Sequence, residues 1–175
     1  IILIDGDTIL HPDFTRDHLL NAEFGFFIQG KRVLISINET RKILLSQNID
    51  FSFFSLGLKN RLNSIHSKLL SNIFSIKKNS LRGIKTCNMS FFKKDFYNVN
   101  GFNNEFEGWG REDSEFIVRL MNNGINRKTI KFNAIQYHLW HKTSNKKSLP
   151  KNDLLLNNAV FQKLKWCEKG INKEL

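Results

Sequence analysis

Cysteine is nearly absent: Cys87 and Cys167 stand far apart and form no Cys-x-x-Cys pair. That leaves a disulfide framework or a structural zinc site without support, and a reducing compartment fits best. No apolar run reaches the roughly 18 residues of a membrane-spanning helix, and the opening residues do not read as a secretory leader. Internal repeats and low-complexity linkers are also missing. Acidic residues are scarce, 16 against 27 Lys and Arg, for a net charge of +11. The excess favours anionic partners, whether nucleic acid, acidic headgroups or phosphorylated substrates, and equally serves a merely solubilising surface. Methionine is missing at position 1, and Ile1 to Ile4 already read as a strand buried on both faces. This start suggests that an earlier part of the protein is missing.

What remains is an ordinary globular composition. The 175 residues suit one domain, and 41% hydrophobic with 12% aromatic content argues against disorder. Sixteen Phe against two Tyr look like compositional drift. The opening strand ends in Asp5-Gly6-Asp7, and a turn follows at His11-Pro12-Asp13. Phe24–Ile28 and Val33–Ile37, separated by Gly30-Lys31, predict a hairpin. Apolar residues Leu62, Ile65, Leu69, Ile73 and Ile76 recur at helical spacing among Lys and Arg, predicting a basic amphipathic helix over 60–76. It would pack on the core or dock on an anionic membrane. A helix is expected from about Asp113 to Asn123, stopped by Gly124. Ile130–Tyr137 reads as a strand running into His138-Leu139-Trp140-His141, and a polar, peripheral helix follows Pro150.

Three groups of residues can carry chemistry. Asp5 and Asp7, at the carboxyl end of a strand, crowd negative charge that a divalent oxygen-seeking cation relieves; an Asp-Gly turn with a capping aspartate is the plainer reading. An apolar strand ending in DxD also opens haloacid-dehalogenase phosphatases, but those need Thr or Val two places past the second Asp, and Thr8 is one place early. The second group is Gly108-Trp109-Gly110-Arg111-Glu112-Asp113. Its glycines allow close backbone approach, its indole offers a face to a sugar ring, and its acids sit at a helix start. Helix capping with a core Trp is the alternative there. The third is His138 and His141, imidazoles able to complete a mixed metal site or simply to pack at a strand end.

Together, and in this order, these pieces resemble the catalytic half of family-two and related inverting glycosyltransferases of the A-type fold. The most specific stretch, Cys87 to Asp113 (CNMSFFKKDFYNVNGFNNEFEGWGRED), resembles the galactosyltransferase C-terminal module. Similar arrangements occur in bacterial chondroitin-type polymerases and in enzymes that extend surface polysaccharide or lipooligosaccharide. The resemblance implies an α/β fold with a mixed sheet flanked by helices. Residues 1–153 would form the carboxy-terminal catalytic half, 154–175 a peripheral helix or tail, and the nucleotide-binding half would precede residue 1. It implies Asp113 as catalytic base with Glu112 beside it. Asp5, Asn88, Gly108, Trp109, Gly110 and Arg111 would line the donor and acceptor sites. Asp7 and His138 would be metal ligands, with Asp5 and His141 as further candidates, for Mn²⁺ or Mg²⁺. The expected partners are a UDP-sugar, carrying galactose or an N-acetylhexosamine, and a saccharide or lipid-linked saccharide; no nucleic acid is expected. A cytoplasmic location with peripheral contact at the inner face of the cell membrane completes the expectation. Without the preceding half, the piece is expected to bind donor weakly. A catalytically dead transferase remnant and a basic binding module are the rival readings.

Overall fold

The computed structural model describes residues 1–142 and 145–172, so the last three positions of the expected tail lie outside it. The chain is mixed α/β. Its strands are β1 (Ile2–Ile4), β2 (Thr8–Leu10), β3 (Phe26–Gln29), β4 (Arg32–Ile35), β5 (Leu58–Lys59), β6 (Ile76–Lys77), β7 (Asn88–Ser90), β8 (Asn126–Thr129) and β9 (Gln136–His138). Its α-helices are α1 (Phe14–Asn21), α2 (Ile37–Ser46), α3 (Lys68–Phe74), α4 (Lys93–Asn98), α5 (Glu112–Asn122) and α6 (Leu149–Phe161).

The strands form two sheets, ordered β1-β7-β3-β8-β6 and β2-β9-β4-β5. Only β3–β8 and β4–β9 pair in parallel; the other pairs are antiparallel. The chain passes from the first sheet to the second between β1 and β2, between β3 and β4, and between β8 and β9. These crossings lie at Asp5-Gly6-Asp7, Gly30-Lys31 and residues 130–135, and together they make a seam.

Several local expectations change for this reason. Phe24–Ile28 and Val33–Ile37 are not a hairpin: β3 and β4 lie in different sheets and pair with β7 and β8, and with β9 and β5. Ile130–Tyr137 is not one strand, because positive φ at Phe132 and Ala134 turns the chain across the seam. β1 is an edge strand with Ile4 half exposed, not a strand buried on both faces. The helix expected over 60–76 is broken. A single 3₁₀ turn covers Arg61–Ser64, and α3 starts afresh with Ser67 Oγ accepting from the Leu70 amide. The Leu62, Leu69 and Ile73 side chains stay exposed, so this face does not pack on the core.

The seam is pinned by Asn88. Its Nδ2 donates to Lys31 O (2.7 Å) and Ala134 O (2.8 Å), and its backbone carbonyl accepts from the Gly30 amide (2.8 Å). Its Oδ1 lies 3.0 Å from His18 Nε2, while His18 Nδ1 lies 2.8 Å from Ser90 Oγ. Gly30 has to be glycine, since a Cβ there would fall 2.1 Å from Asn88 Oδ1. Burial holds the His18 imidazole down at about 4.

α5 forms where its periodicity predicts, burying Phe116, Ile117 and Leu120 in a core with Phe27, Met89, Phe91 and Val99. Gly124 takes positive φ and ends it. Inside this core Arg119, fully buried, donates from Nε (2.7 Å) and Nη2 (2.8 Å) to Glu115, and from Nη1 to Val99 O. The fork satisfies two charges that neither burial nor packing could tolerate singly. α6 spans residue 153 and packs along α5.

Glu115→Ala leaves the Arg119 guanidinium buried and unpaired, and is expected to cost about 3–5 kcal/mol in urea unfolding. The His18 pKa gives a second expectation. The unfolded ring, near 6.5, binds a proton that the folded ring refuses until about 4. Stability is therefore complete above 6.5 and falls as pH drops toward 4, by about 3 kcal/mol in all. Unfolding midpoints taken from pH 7.5 to 4.5 should show this slope, and His18→Gln should flatten it.

Candidate functional site

Asp5 and Asp7 sit on the first seam crossing, a tight turn closed by Thr8 Oγ1 donating to Asp5 O (2.8 Å). The β2–β9 register sets Thr8 opposite His138, and the Leu139 amide donates to Asp7 O (3.0 Å). As a result, His138 Nε2 lies 3.5 Å from Asp7 Oδ1 and 4.0 Å from Asp5 Oδ2, and His141 Nε2 lies 3.1 Å from Asp7 Oδ2.

The ring protons can be located. His138 Nδ1 lies 2.9 Å from Leu139 O, and His141 Nδ1 lies 2.9 Å from Lys142 O. A carbonyl only accepts, so each Nδ1 carries hydrogen, and the Nε2 of each ring, a lone pair when the ring is neutral, faces Asp7. Asp7 Oδ1 is buried and has no hydrogen-bond donor. One ligating atom each from Asp7, His138 and His141 thus lies within 4.8 Å of the others. Such an arrangement calls for a proton or a cation, and two imidazoles with a carboxylate suit Mn²⁺ better than Mg²⁺.

Electrostatics ties the neighbours in. Burial, then the charges of Asp7 and Asp113, push the Asp5 carboxyl up, against the pull of His138 and Arg32. Burial pushes His138 below its ordinary value despite Asp7, and Arg32 and His141 push the same way. The lowered value favours the neutral imidazole, whose Nε2 offers a lone pair.

Glu112 and Asp113 open α5. Thr86 donates to both Asp113 oxygens, from its amide (3.0 Å) and its hydroxyl (2.5 Å). Glu112 Oε2 is buried without a partner, and burial, reinforced by Asp113, raises its carboxyl. Asp113 thus shares one electrostatic neighbourhood with Asp5, though more than a hundred positions separate them.

The glycines of this string do something other than admit a ligand. Gly108 and Gly110 have positive φ, and a Cβ would meet Ser148 Oγ at 2.5 Å and Leu149 Cδ1 at 3.0 Å. They let the start of α6 close on the loop, where Asn152 Nδ2 donates to Gly110 O (2.8 Å) and Glu107 O (3.2 Å). Arg111 is spent in the same way, its Nε 2.5 Å from Asp153 Oδ1. Trp109 remains about half exposed, with Lys146 Nζ 5.6 Å from its ring centre, and Trp140 is similarly open. Asn88, expected to touch donor sugar, has its side chain engaged in the seam and is 1% exposed.

Two residues carry no motif and escape a reading of the sequence. Thr86 holds Asp113. Arg32, at the start of β4, acts on Asp5, His138 and Cys87. It lines a cleft of about 260 Å³ with Lys31, Lys85, Gln29 and Cys87. The net positive charge was the only hint of this cluster of cations.

Residues 70–142 match a family model described as the N-terminal domain of galactosyltransferase. The match takes in Glu112, Asp113, His138 and His141 and leaves Asp5 and Asp7 outside it. Its description differs from the carboxy-terminal module of the expectation; what it carries is likeness to a galactosyltransferase and not a place within a longer chain. No curated protein matches the sequence. The stretch from 70 to 142 is a galactosyltransferase-like module, which supports glycosyl transfer as the general activity.

Proposed function

We propose that this chain carries the metal and acceptor side of an inverting hexosyltransferase of the A-type fold. The observation that carries the reading is the convergence of Asp7, His138 and His141 on one point, with Asp5 and Asp113 in electrostatic range. The donor is a UDP-sugar bearing galactose or an N-acetylhexosamine. The acceptor is a saccharide or lipid-linked saccharide in the making of surface polysaccharide or lipooligosaccharide. Asp7, His138 and His141 would hold Mn²⁺ or Mg²⁺, and an ion bound there would supply charge neutralisation for a departing diphosphate.

The chain's own groups do the rest. An acceptor hydroxyl attacks the anomeric carbon while the bond from that carbon to the diphosphate oxygen breaks, and the hydroxyl proton passes to the Asp113 carboxylate. Thr86 aims that carboxylate, and both of its bonds leave lone pairs free on the oxygens. Glu112 Oε2, lacking any donor, can accept from a sugar hydroxyl. Trp109 and Trp140 offer open ring faces to sugars. Arg32, Lys31 and Lys85 add positive charge where the diphosphate would lie.

The reading carries with it a cytoplasmic location beside the inner face of a membrane. Exposed Leu62, Leu69 and Ile73 next to Lys68, Lys77 and Lys78 would make the contact. Among the described residues no helix is long and apolar enough to cross a membrane.

In an active preparation, UDP release from a panel of UDP-sugars should require added divalent cation. Asp113→Asn should lower turnover by about 10²–10⁴-fold with UDP and Mn²⁺ affinity retained. Asp7→Asn or His138→Ala should lose Mn²⁺ affinity itself. Near wild-type turnover in Asp113→Asn would remove the base from the mechanism, and metal-independent transfer would remove the metal.

A further inference from the structure

A second cluster of ligating side chains lies at the other end of the β2–β9 ladder from Asp7. His11 follows β2, its amide donating to Ile135 O (3.0 Å), and Asp13 stands at the start of α1. The broken segment ahead of α3 delivers His66. These three residues bring one donor atom each within 4.8 Å of one another. Asp13 Oδ2 lies 3.9 Å from His11 Nδ1 and 4.0 Å from His66 Nδ1, and the two imidazoles stack with centroids 4.4 Å apart.

The groups behind the cluster fix which atoms face it. His66 Nε2 lies 2.9 Å from Asp17 Oδ2, and that same oxygen accepts from the Ala134 amide at 2.8 Å. Asp17 is buried and can only accept while ionised, so the His66 proton sits on Nε2 and its Nδ1 lone pair faces Asp13. A carboxylate behind an imidazole is the arrangement that orients histidine for a metal. His11 Nδ1 accepts from the Asp13 amide at 3.1 Å, which likewise turns a lone pair inward. The Asp13 carboxylate makes no cap bond to α1; its other contact is Arg16, 3.7 Å away and largely in solvent. Two imidazole nitrogens and a carboxylate therefore surround a space where the Asp13 amide donates to His11 and Arg16 approaches the carboxylate from solvent.

We propose that His11, Asp13 and His66 form a second metal site, separate from the one at Asp7, for a transition ion of the zinc class. Two neutral imidazoles with one carboxylate select a borderline-soft ion over Mg²⁺ or Ca²⁺. Ligand bonds of about 2.0–2.1 Å in tetrahedral geometry set donor atoms about 3.3 Å apart. The site closes by rotation of the Asp13 carboxylate and of His11, which gives up its bond to the Asp13 amide; water on the open side supplies the fourth ligand. The charges of Asp13 and Asp17 balance a divalent ion. Bound there, the ion ties the turn after β2 to the segment before α3, pieces that already meet in the His11–His66 stack. The inference is independent of the glycosyl-transfer reading.

The test uses zinc alone and the full chain, with His138→Ala and His141→Ala introduced to silence the first site. Equilibrium dialysis with metal analysis should find one zinc per chain. Adding Asp13→Asn, which removes only a carboxylate that bonds at the surface, should weaken zinc at least about tenfold with the circular dichroism spectrum kept. Asp17→Asn should weaken it by about 10–100-fold. Wild-type protein gives an independent count: two zinc ions, falling to one in Asp13→Asn. Zinc binding absent from the silenced chain, or unchanged by Asp13→Asn, overturns the site. So does a His66 imidazole resonance that follows pH but ignores one equivalent of zinc, since a proton would then be what the cluster holds.

Discussion

Everything near the candidate site depends on the buried amide of Asn88. It reaches from the first sheet to the carbonyls of Lys31 and Ala134, one on each of two seam crossings. A side chain with two donors and one acceptor, fully used, fixes three chain segments and His18 at once. Gly30 gives it room, because any Cβ would occupy its place. Were the seam free to slide, the β2–β9 register that sets Thr8 opposite His138 would slide with it. The distances around Asp7 would then have no cause.

Charge is the second constraint. Asp5, Asp7 and Asp113 gather in partly buried space with Glu112 beside Asp113, and burial first, then repulsion between neighbouring acids, raises the carboxyls of Asp5 and Glu112. Among the described residues no Lys or Arg forms an ion pair with these carboxylates. The fold sets Arg32 nearby and turns two imidazole nitrogens toward Asp7. Strained electrostatics of this kind is usual where a cation or a reacting group is to be received.

The loop bearing Trp109 is held from behind. Asn152 and Asp153 on α6 grip Gly110 and Arg111, while α6 itself lies on α5. α5 is anchored in the core by the Arg119–Glu115 fork. Rigid support at the back leaves Trp109 and the start of α5 as the presented surface.

Sequence alone determined the parts whose causes are local. α5 follows from apolar spacing and a terminal glycine, the Asp5–Asp7 turn from a run that Thr8 closes, and the loop from GWGRED as a string. These depend on neighbours a few positions away, so the pattern carries them. Only the tertiary structure decided which strands share a sheet, and so that Gly30-Lys31 crosses a seam instead of closing a hairpin. It alone withdrew Asn88 from the surface, drew Arg32 and Thr86 toward the acids, and brought His66 to His11 across a broken helix. Those outcomes arise from hydrogen bonds and charges between residues distant in the chain, and nothing within a short window of sequence records them.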